Sequence, residues 1–278
     1  MRTGELPSPD SSEVHQHLKT CQSCDDSASD LAALSATLKE TIIAPPRSMR
    51  TVAIDHFDVI DAGGEVFVAF SDRGIRMLTT GVSADDFRAA YCQRFGRDLE
   101  PAALPERLRK QVVAALAGEG VAKPAVDFED VGEFERTVLE ILTKIPRGEV
   151  RTYTWVAQQA GRPKAVRAVG NICARNVVPF VVPCHRVVPA GGGIGNYAFG
   201  GPKKRDLLRR EGVPVEELEE LARKGVRYIG SRTTNIYCFP TCRDARRIRE
   251  ENRVAFRDDE DAARKGFRPC KRCQPLAA

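Results

Sequence analysis

No apolar run in these 278 residues approaches the ~20 residues that a membrane-spanning helix needs, so no helical membrane anchor is expected. The opening stretch, Met1 to Asp10, holds neither a charged start followed by an apolar core nor a cleavage site. No export signal is therefore expected, and the protein reads as cytoplasmic. Cysteine, by contrast, is plentiful, with nine in the chain. In an unexported protein that number argues against a disulfide framework and for metal ligands or reactive thiols. The length leaves room for two or three domains, each able to bury its own core.

The net charge of +5 is unevenly spread. Residues 147–210 carry 12 Lys and Arg against 2 Asp and Glu, and residues 222–278 carry 15 against 7. The run 211–221 between them sums to −5, residues 51–146 to −6 and the first 50 residues to −2. Two basic modules flanking an acidic spacer predict two surfaces for a polyanion, which favours nucleic acid as partner. Solvated helix faces are the alternative for either block alone.

Residues 1–45 are polar and run into Ala44-Pro45-Pro46, a natural linker. Ser11 to Lys39 reads as one or two helices, on which His17, Cys21 and Cys24 would share a face at i, i+4 and i+7. The His-x3-Cys-x2-Cys pattern resembles the small zinc-binding domain of anti-sigma factors. That resemblance implies a second zinc site, completed by His15 or a partner chain, and a sigma factor or other transcription partner. Two metal-free surface cysteines are the other reading. Residues 51–80 alternate as strands at Phe57–Asp61, Val66–Phe70 and Gly74–Leu78, with a Gly63-Gly64 turn. Helices are expected at Ala84–Phe95 and Pro105–Ala117, and nothing in this region looks catalytic. From Val131 an amphipathic helix built on Phe134, Val138, Ile141 and Leu142 ends at Ile145-Pro146. A short helix from Thr152, a turn at Gly161-Arg162-Pro163 and a second helix from Lys164 to Arg175 form a helix-turn-helix pattern.

Then comes Val181-Val182-Pro183-Cys184-His185-Arg186-Val187. A thiolate attacks and a thiol hardly does, so a histidine next to a cysteine offers the proton acceptor that a nucleophile needs. A bare Cys-His pair is weak, since buried cysteines are usually inert. Pro-Cys-His-Arg-Val after an apolar run, expected as a strand, resembles the active-site motif of the O6-alkylguanine-DNA alkyltransferases, which move an alkyl group from DNA onto their own cysteine. The resemblance runs from about Thr51 to Val213 and is densest after Val131. It implies an α/β chain: a small mixed scaffold domain (46–125), then a mostly helical, helix-turn-helix alkyltransferase domain (126–214). Its substrate would be double-stranded DNA carrying O6-methylguanine, with the nucleotide rotated out of the stack at a cost of a few kcal/mol.

Residue by residue, the resemblance makes Cys184 the single-turnover acceptor, His185 its proton acceptor and Glu211 the group that orients His185. Tyr153 becomes a proton donor to the leaving guanine, and Asn176 a link between the helix-turn-helix and the active-site strand. Arg167 matches an arginine that fills the gap left by the lifted base; a simple phosphate contact is its alternative. Ala168 and Gly170 would allow close approach to the minor groove, with Arg175 adding charge. Gly195-Asn196-Tyr197-Ala198-Phe199-Gly200 resembles the loop lining the alkyl pocket, where Phe199 would narrow the site and favour methyl. The family's Asn-Pro is here Asn176-Val177-Val178-Pro179, a departure expected to loosen one turn.

Cys238-x3-Cys242 and Cys270-x2-Cys273 lie in a basic, loop-rich tail, residues 222–278. Two close pairs predict a tetrahedral Zn²⁺ site, and so small a module profits from a structural metal. A plain structural ribbon satisfies that spacing. Arg232-Thr233-Thr234-Asn235-Ile236-Tyr237-Cys238 and Gly266-Phe267-Arg268-Pro269-Cys270-Lys271-Arg272-Cys273 resemble the methyl-phosphotriester domain of the Ada adaptive-response proteins. That implies Cys238 as a second methyl acceptor, with Thr234, Lys271 and Arg272 as backbone contacts. Two departures stand out: the module follows the alkyltransferase instead of preceding it, and no further pair of helix-turn-helix units is present. A fused repair protein is therefore expected ahead of a methylation-responsive transcriptional sensor.

Overall fold

Strand alternation in the first half builds a sheet with two differently occupied faces. The structure, a computed structural model, describes residues 55–118 and 124–275; the His17, Cys21 and Cys24 motif lies outside the described residues. Strands β1 (Asp55–Asp61), β2 (Glu65–Ser71) and β3 (Gly74–Thr80) form an antiparallel meander, and β4 (Leu99–Pro101) joins β1 in parallel, giving the order β3-β2-β1-β4. Asp61 closes the first hairpin by accepting from the amides of Gly63 and Gly64, both at positive φ. On β2, Phe67 and Ala69 pack with Phe87 and Tyr91 of helix α1 (Ala84–Phe95), while Val66, Val68 and Phe70 face the main core. That is the period-2 split of a strand buried on both sides. Ser83 caps α1 at its start and Gly96, at φ 65°, ends it. Helix α2 (Glu106–Leu116) follows, contributing Val112 to the main core. Tyr91 donates to Asp55 at 2.6 Å, and the buried Arg76 bridges Asp55, Asp127 and Asp130.

The second half stacks short helices on that core. Helix α3 (Glu133–Lys144) buries Val138, Leu139, Ile141 and Leu142. Strand β5 (Arg151–Thr152) leads into α4 (Tyr153–Gln159), capped by the Thr152 side chain at the Trp155 amide. A turn at Gly161 (φ 70°) then leads to α5 (Val166–Ala174), whose Val169, Ile172 and Cys173 are buried. Each such buried aliphatic side chain is worth roughly 1.5–3 kcal/mol. Strand β6 (Val187–Val188) pairs in parallel with β5.

The apolar strand expected before Cys184 is not formed. Phe180 takes a left-handed φ of 70°, and the Val182 amide bonds back to the Val178 carbonyl at 2.9 Å, so the run folds into a tight turn. The extended segment comes after the motif, at β6. Phe180 in that conformation costs about 1–3 kcal/mol; its buried ring lies 5.5 Å from Phe199.

The acidic spacer is folded into the structure. Residues Val215–Arg223 form helix α7, packed beside α6 (Gly201–Arg210). Glu219 pairs with Arg205, Glu216 with Arg209 and Glu217 with Arg253, so the spacer neutralises basic side chains on both flanking modules. The C-terminal module is a sheet of order β10-β8-β7-β9, made of β7 (Tyr228–Ser231), β8 (Ile236–Cys238), β9 (Arg253–Phe256) and β10 (Arg268–Pro269). Helices α8 (Arg243–Arg246) and α9 (Asp259–Arg264) flank it. Gly230 is required on β7: a Cβ there would sit 2.6 Å from Phe256 and 2.8 Å from Phe267. Both modules belong to one compact unit.

Candidate active site and metal centre

Three segments converge on Cys184. The turn after α5 brings in Asn176, whose Nδ2 donates to the Val182 carbonyl at 2.9 Å and to Cys184 Sγ at 3.2 Å. Asn176 Oδ1 accepts from the Val178 amide at 3.1 Å. The Asn-Val-Val-Pro turn, expected to be loose, is thus pinned by the asparagine itself. The Leu78 amide adds a further tie, donating to the Val177 carbonyl at 2.8 Å from β3. Cys184, His185 and Arg186 form a single 3-10 turn, which throws the three side chains in different directions.

His185 Nε2 meets Glu211 Oε1 at 2.9 Å, and Nδ1 has no hydrogen-bond partner among the described residues. Arg186 clamps Glu211 with two bonds of 2.7 Å and also donates to the Ile145 carbonyl. Burial opposes ionisation of Glu211, but the bonds from His185 and Arg186 outweigh it and hold the carboxyl at about 2. Burial pushes the Cys184 thiol upward against the opposing Asn176 bond, and pushes the His185 imidazole downward against Glu211. At rest the pair is therefore neutral: a thiol and an imidazole, with the charge on Glu211 and Arg186.

A cavity of about 280 Å³ opens onto Cys184, lined by Tyr153, Gly170, Cys173, Ala174, Asn196, Tyr197 and Ala198. Burial raises Tyr153 to about 12, keeping the phenol protonated. Burial and the adjacent Cys184 push the ionisation of the Tyr197 hydroxyl well above the ordinary value. Phe199 does not line the cavity as anticipated. It is 41% exposed and stacks on Tyr197 and Phe180, because the Gly195–Gly200 loop turns it outward. Arg167 is exposed on α5 and Arg175 just past its end, while Ala168 and Gly170 are half-buried on the same helix.

Two members of this site escaped the sequence reading. Arg186 was quoted only as part of the motif, yet it supplies the clamp on Glu211. Lys204 is fully buried on α6; its Nζ donates to the carbonyls of Val187 at 2.7 Å and Asn196 at 3.2 Å, and burial lowers it to about 8. The signal was available. Lys204 lies three and four residues before Leu207 and Leu208, on the apolar face of α6.

In the C-terminal module β8 delivers Cys238, the turn after it Cys242, and the segment after β10 Cys270 and Cys273. All four are buried, with their sulfurs within 4.8 Å of one another. A tetrahedral Zn²⁺ with bonds of about 2.3 Å needs sulfurs about 3.8 Å apart, so the quartet fits the metal. Cys238 and Cys270 also line an open cleft of about 450 Å³ with Thr233, Thr234, Asp244, Arg247 and Arg249. Lys271 and Arg272 are exposed but lie outside that lining; Arg247 and Arg249, not singled out from sequence, stand there instead.

Comparison with known proteins follows the same division. Residues 133–213 match the family model described as 6-O-methylguanine DNA methyltransferase, DNA binding domain, and residues 220–275 match the metal binding domain of Ada. A methylated-DNA–protein-cysteine methyltransferase of Thermococcus gammatolerans is 41% identical over 121 residues, covering 43% of this chain and 67% of that protein. The chain belongs to that methyltransferase family. The regulatory protein ada of Salmonella typhimurium is 38% identical over 156 residues, covering 55% of this chain and 44% of that protein. The DNA complex of Mycobacterium tuberculosis OGT matches at 30% identity and a TM-score of 0.47, covering 59% of this chain and 98% of that one. The chain spans about half the length of the first curated relatives it matches. As a family member with an Ada-type metal module, it carries a zinc site at Cys238, Cys242, Cys270 and Cys273. Among the described residues, no helix is long and apolar enough to cross a membrane.

Proposed function

We propose that this protein repairs alkylated double-stranded DNA by direct, single-turnover transfer of a methyl group from O6-methylguanine to Cys184. The arrangement that supports this best is Cys184 at a cavity, with Asn176 on its sulfur and a His185–Glu211–Arg186 chain behind it. The chemistry runs from a neutral start. His185 Nδ1, without a partner among the described residues, takes the Cys184 proton through an intervening water, and Glu211 stabilises the imidazolium that results. The sulfur attacks the methyl carbon in line; an S–C bond forms and the C–O6 bond breaks, leaving its electron pair on the guanine. Tyr153 donates a proton to the departing base and is itself restored from solvent. A thioether cannot be displaced again here, so each molecule acts once. Arg167, on the exposed side of α5 with Ala168, Gly170 and Arg175 nearby, fills the space vacated by the rotated nucleotide.

The second acceptor in this reading is Cys238. Bound zinc keeps the four sulfurs as electron-rich thiolates at neutral pH. Thr234, Arg247 and Arg249 would hold the flanking phosphates in the cleft while the Cys238 sulfur forms an S–C bond to the methyl carbon and the methyl C–O bond breaks, leaving its electron pair on an ordinary phosphodiester oxygen; Lys271 and Arg272 would add contacts farther along the backbone. Methylated Cys238 is no longer anionic, so the module should then bind DNA more tightly. Keeping these thiols reduced suits the cytoplasm. A methylation-responsive sensor is the second reading, favoured because two relatives are named a regulatory protein and a bifunctional transcriptional activator. In that case a sigma factor or other transcription partner would supply promoter contact.

The test is to incubate zinc-loaded protein with duplex DNA carrying O6-methylguanine and a methyl phosphotriester, and to map methyl adducts by peptide mass spectrometry. Methyl on Cys184 and Cys238 is expected. Methyl on neither, with DNA binding intact, would overturn the repair reading and leave the sensor, for which a methylation-dependent promoter footprint is the measurement.

A further inference from the structure

The zinc module does more than sit beside the Cys184 site. Its first metal-binding turn, Phe239 to Cys242, packs against the segment that leads into Tyr153, one wall of that site. Thr241 is 0% exposed, and its hydroxyl accepts from the Val150 amide at 3.0 Å across 91 residues of sequence. The Arg243 amide donates to Glu149 Oε1 at 3.1 Å, and Glu149 pairs with the equally buried Arg151 at 2.6 Å. The Arg151 guanidinium lies between two rings, 5.3 Å from Phe239 of the module and 5.5 Å from Trp155 of α4. Trp155 donates through Nε1 to the Gln274 carbonyl at 3.0 Å, one residue past Cys273. Arg246 reaches the carbonyls of Gly148 at 2.7 Å, Gly212 at 3.1 Å and its own Thr241 at 3.1 Å.

Each contacted position adjoins a working part of the active site. Gly212 follows Glu211. Val150 and Arg151 lead directly to Tyr153, and Arg151 and Thr152 pair with Val187 and Val188, which follow the Cys184–Arg186 turn. We propose that the zinc module braces the Cys184 site: Thr241 and Arg246 are positioning residues that hold the Gly148–Thr152 segment and, through it, Tyr153 and the Cys184–Arg186 turn. In this arrangement zinc ligation shapes the guanine site as well as the phosphotriester site. A misplacement of about 1 Å at a reacting group can cost up to ~100-fold in rate, so even slight loosening of the brace should be measurable.

This inference rests on Cys184 being the acceptor, and the experiment separates the two. Trp155 is the one tryptophan in the chain, so its fluorescence reports on this interface without background. Full-length protein is compared zinc-loaded and after chelation, then as Thr241→Val, Thr241→Ser and Arg246→Gln at verified full zinc content. Three quantities are read: Trp155 emission, hydrogen exchange over residues 150–153 and 184–188, and the single-turnover rate of methyl transfer to Cys184. Chelation should shift Trp155 emission to longer wavelength, speed exchange in both segments and slow transfer about tenfold or more. Thr241→Val and Arg246→Gln should move the same three quantities in smaller measure, and Thr241→Ser, which keeps the acceptor oxygen, should restore them. Unchanged exchange at 184–188 after chelation overturns the brace. So does a Thr241→Val protein whose rate and exchange match the wild type. If the zinc-loaded wild type transfers no methyl to Cys184, the functional reading fails, while emission and exchange still decide whether the module holds the segment.

Discussion

Cys184 and Cys238 are both buried, at 5% and 2% exposure, and each lines a cavity, yet they are prepared for reaction in opposite ways. Cys184 is a thiol outside any metal cluster, driven toward neutrality by burial and answered by one amide and a buried His–Glu–Arg chain. Its nucleophilicity is released only when a proton moves. Cys238 stands among three other sulfurs whose negative charge a dication offsets, so no proton has to leave at the moment of attack. The difference matches the two substrates of the proposed function. A base rotated into the cavity would displace water from Cys184, where a standing thiolate would be costly. A phosphotriester would present its methyl at the surface, where a cleft lined by Arg247 and Arg249 can meet it.

The largest effects should come from deleting one sulfur at a time. Cys184→Ala is expected to abolish transfer from O6-methylguanine and leave phosphotriester transfer intact. Cys238→Ala should do the reverse for the phosphotriester, with any loss at Cys184 confined to what the loosened module causes. Cys173 shares the Cys184 cavity, but burial raises its thiol, and among the described residues no histidine or side-chain amide bonds to it. Cys173→Ala should therefore retain transfer, measured as methyl on Cys184 per protein. Loss of transfer there would break the comparison, because it would mean that cavity position and not the relay makes a sulfur reactive.

Next comes the relay itself. Glu211→Gln keeps the shape but removes the charge that stabilises an imidazolium, so transfer should slow by about 10²–10⁴, the usual range for acid–base assistance. Glu211→Ala additionally leaves Arg186 buried without its partner, at a cost of about 3–5 kcal/mol in stability. Acid titration sharpens the point. Glu211 sits near 2 in the fold against an ordinary 4.5. A depressed carboxyl contributes stability that is fully present above 4.5 and is lost as pH falls toward 2, here up to about 3 kcal/mol. Measured by chemical denaturation, the stability gap between wild type and Glu211→Gln should shrink across that window. A gap independent of pH would remove the argument that the Glu211 charge is held by its partners.

How much of this was legible before the fold follows from where each contact lies along the chain. Cys184-His185 and the paired cysteines are local patterns, with ligands three or four residues apart, and local patterns survive in a sequence. The helices were readable from periodicity; α1 falls at the residues expected, Ala84 to Phe95. Two things were not. The run before Cys184 looked like a strand because Val and Phe favour strands, but tertiary packing forces Phe180 into a left-handed turn that no propensity announces. The contacts of Arg186 with Glu211, 25 residues away, and of Thr241 with Val150, 91 away, exist only because separate segments are folded together. Lys204 was hidden differently, inside the basic run Lys203-Lys204-Arg205 where only helical phase distinguishes it. The partners of the acidic spacer were hidden for a related reason. Its glutamates are charged as counted, and only the fold shows that they pair with Arg205, Arg209 and Arg253.

The smallest expected effect concerns Phe199. Sequence alone makes it a gate that favours methyl over larger groups; the structure turns its ring outward onto Tyr197 and Phe180, 5.5 Å from each, and leaves the cavity walled by Tyr153, Tyr197 and Ala198. Any influence on the substrate must then pass through Tyr197. An exposed aromatic contact of this kind is worth about 0.5–1.5 kcal/mol, so Phe199→Ala should slow methyl transfer only a few-fold. Its effect on the ratio of methyl- to benzylguanine rates should be smaller still. Ala198→Phe, placed in the wall itself, should depress the benzyl rate far more than the methyl rate. If Phe199→Ala instead raised the benzyl rate selectively, the loop would have to fold inward when DNA binds. The guanine cavity would then be formed by its substrate, and the contrast with the open cleft at Cys238 would narrow to one of timing.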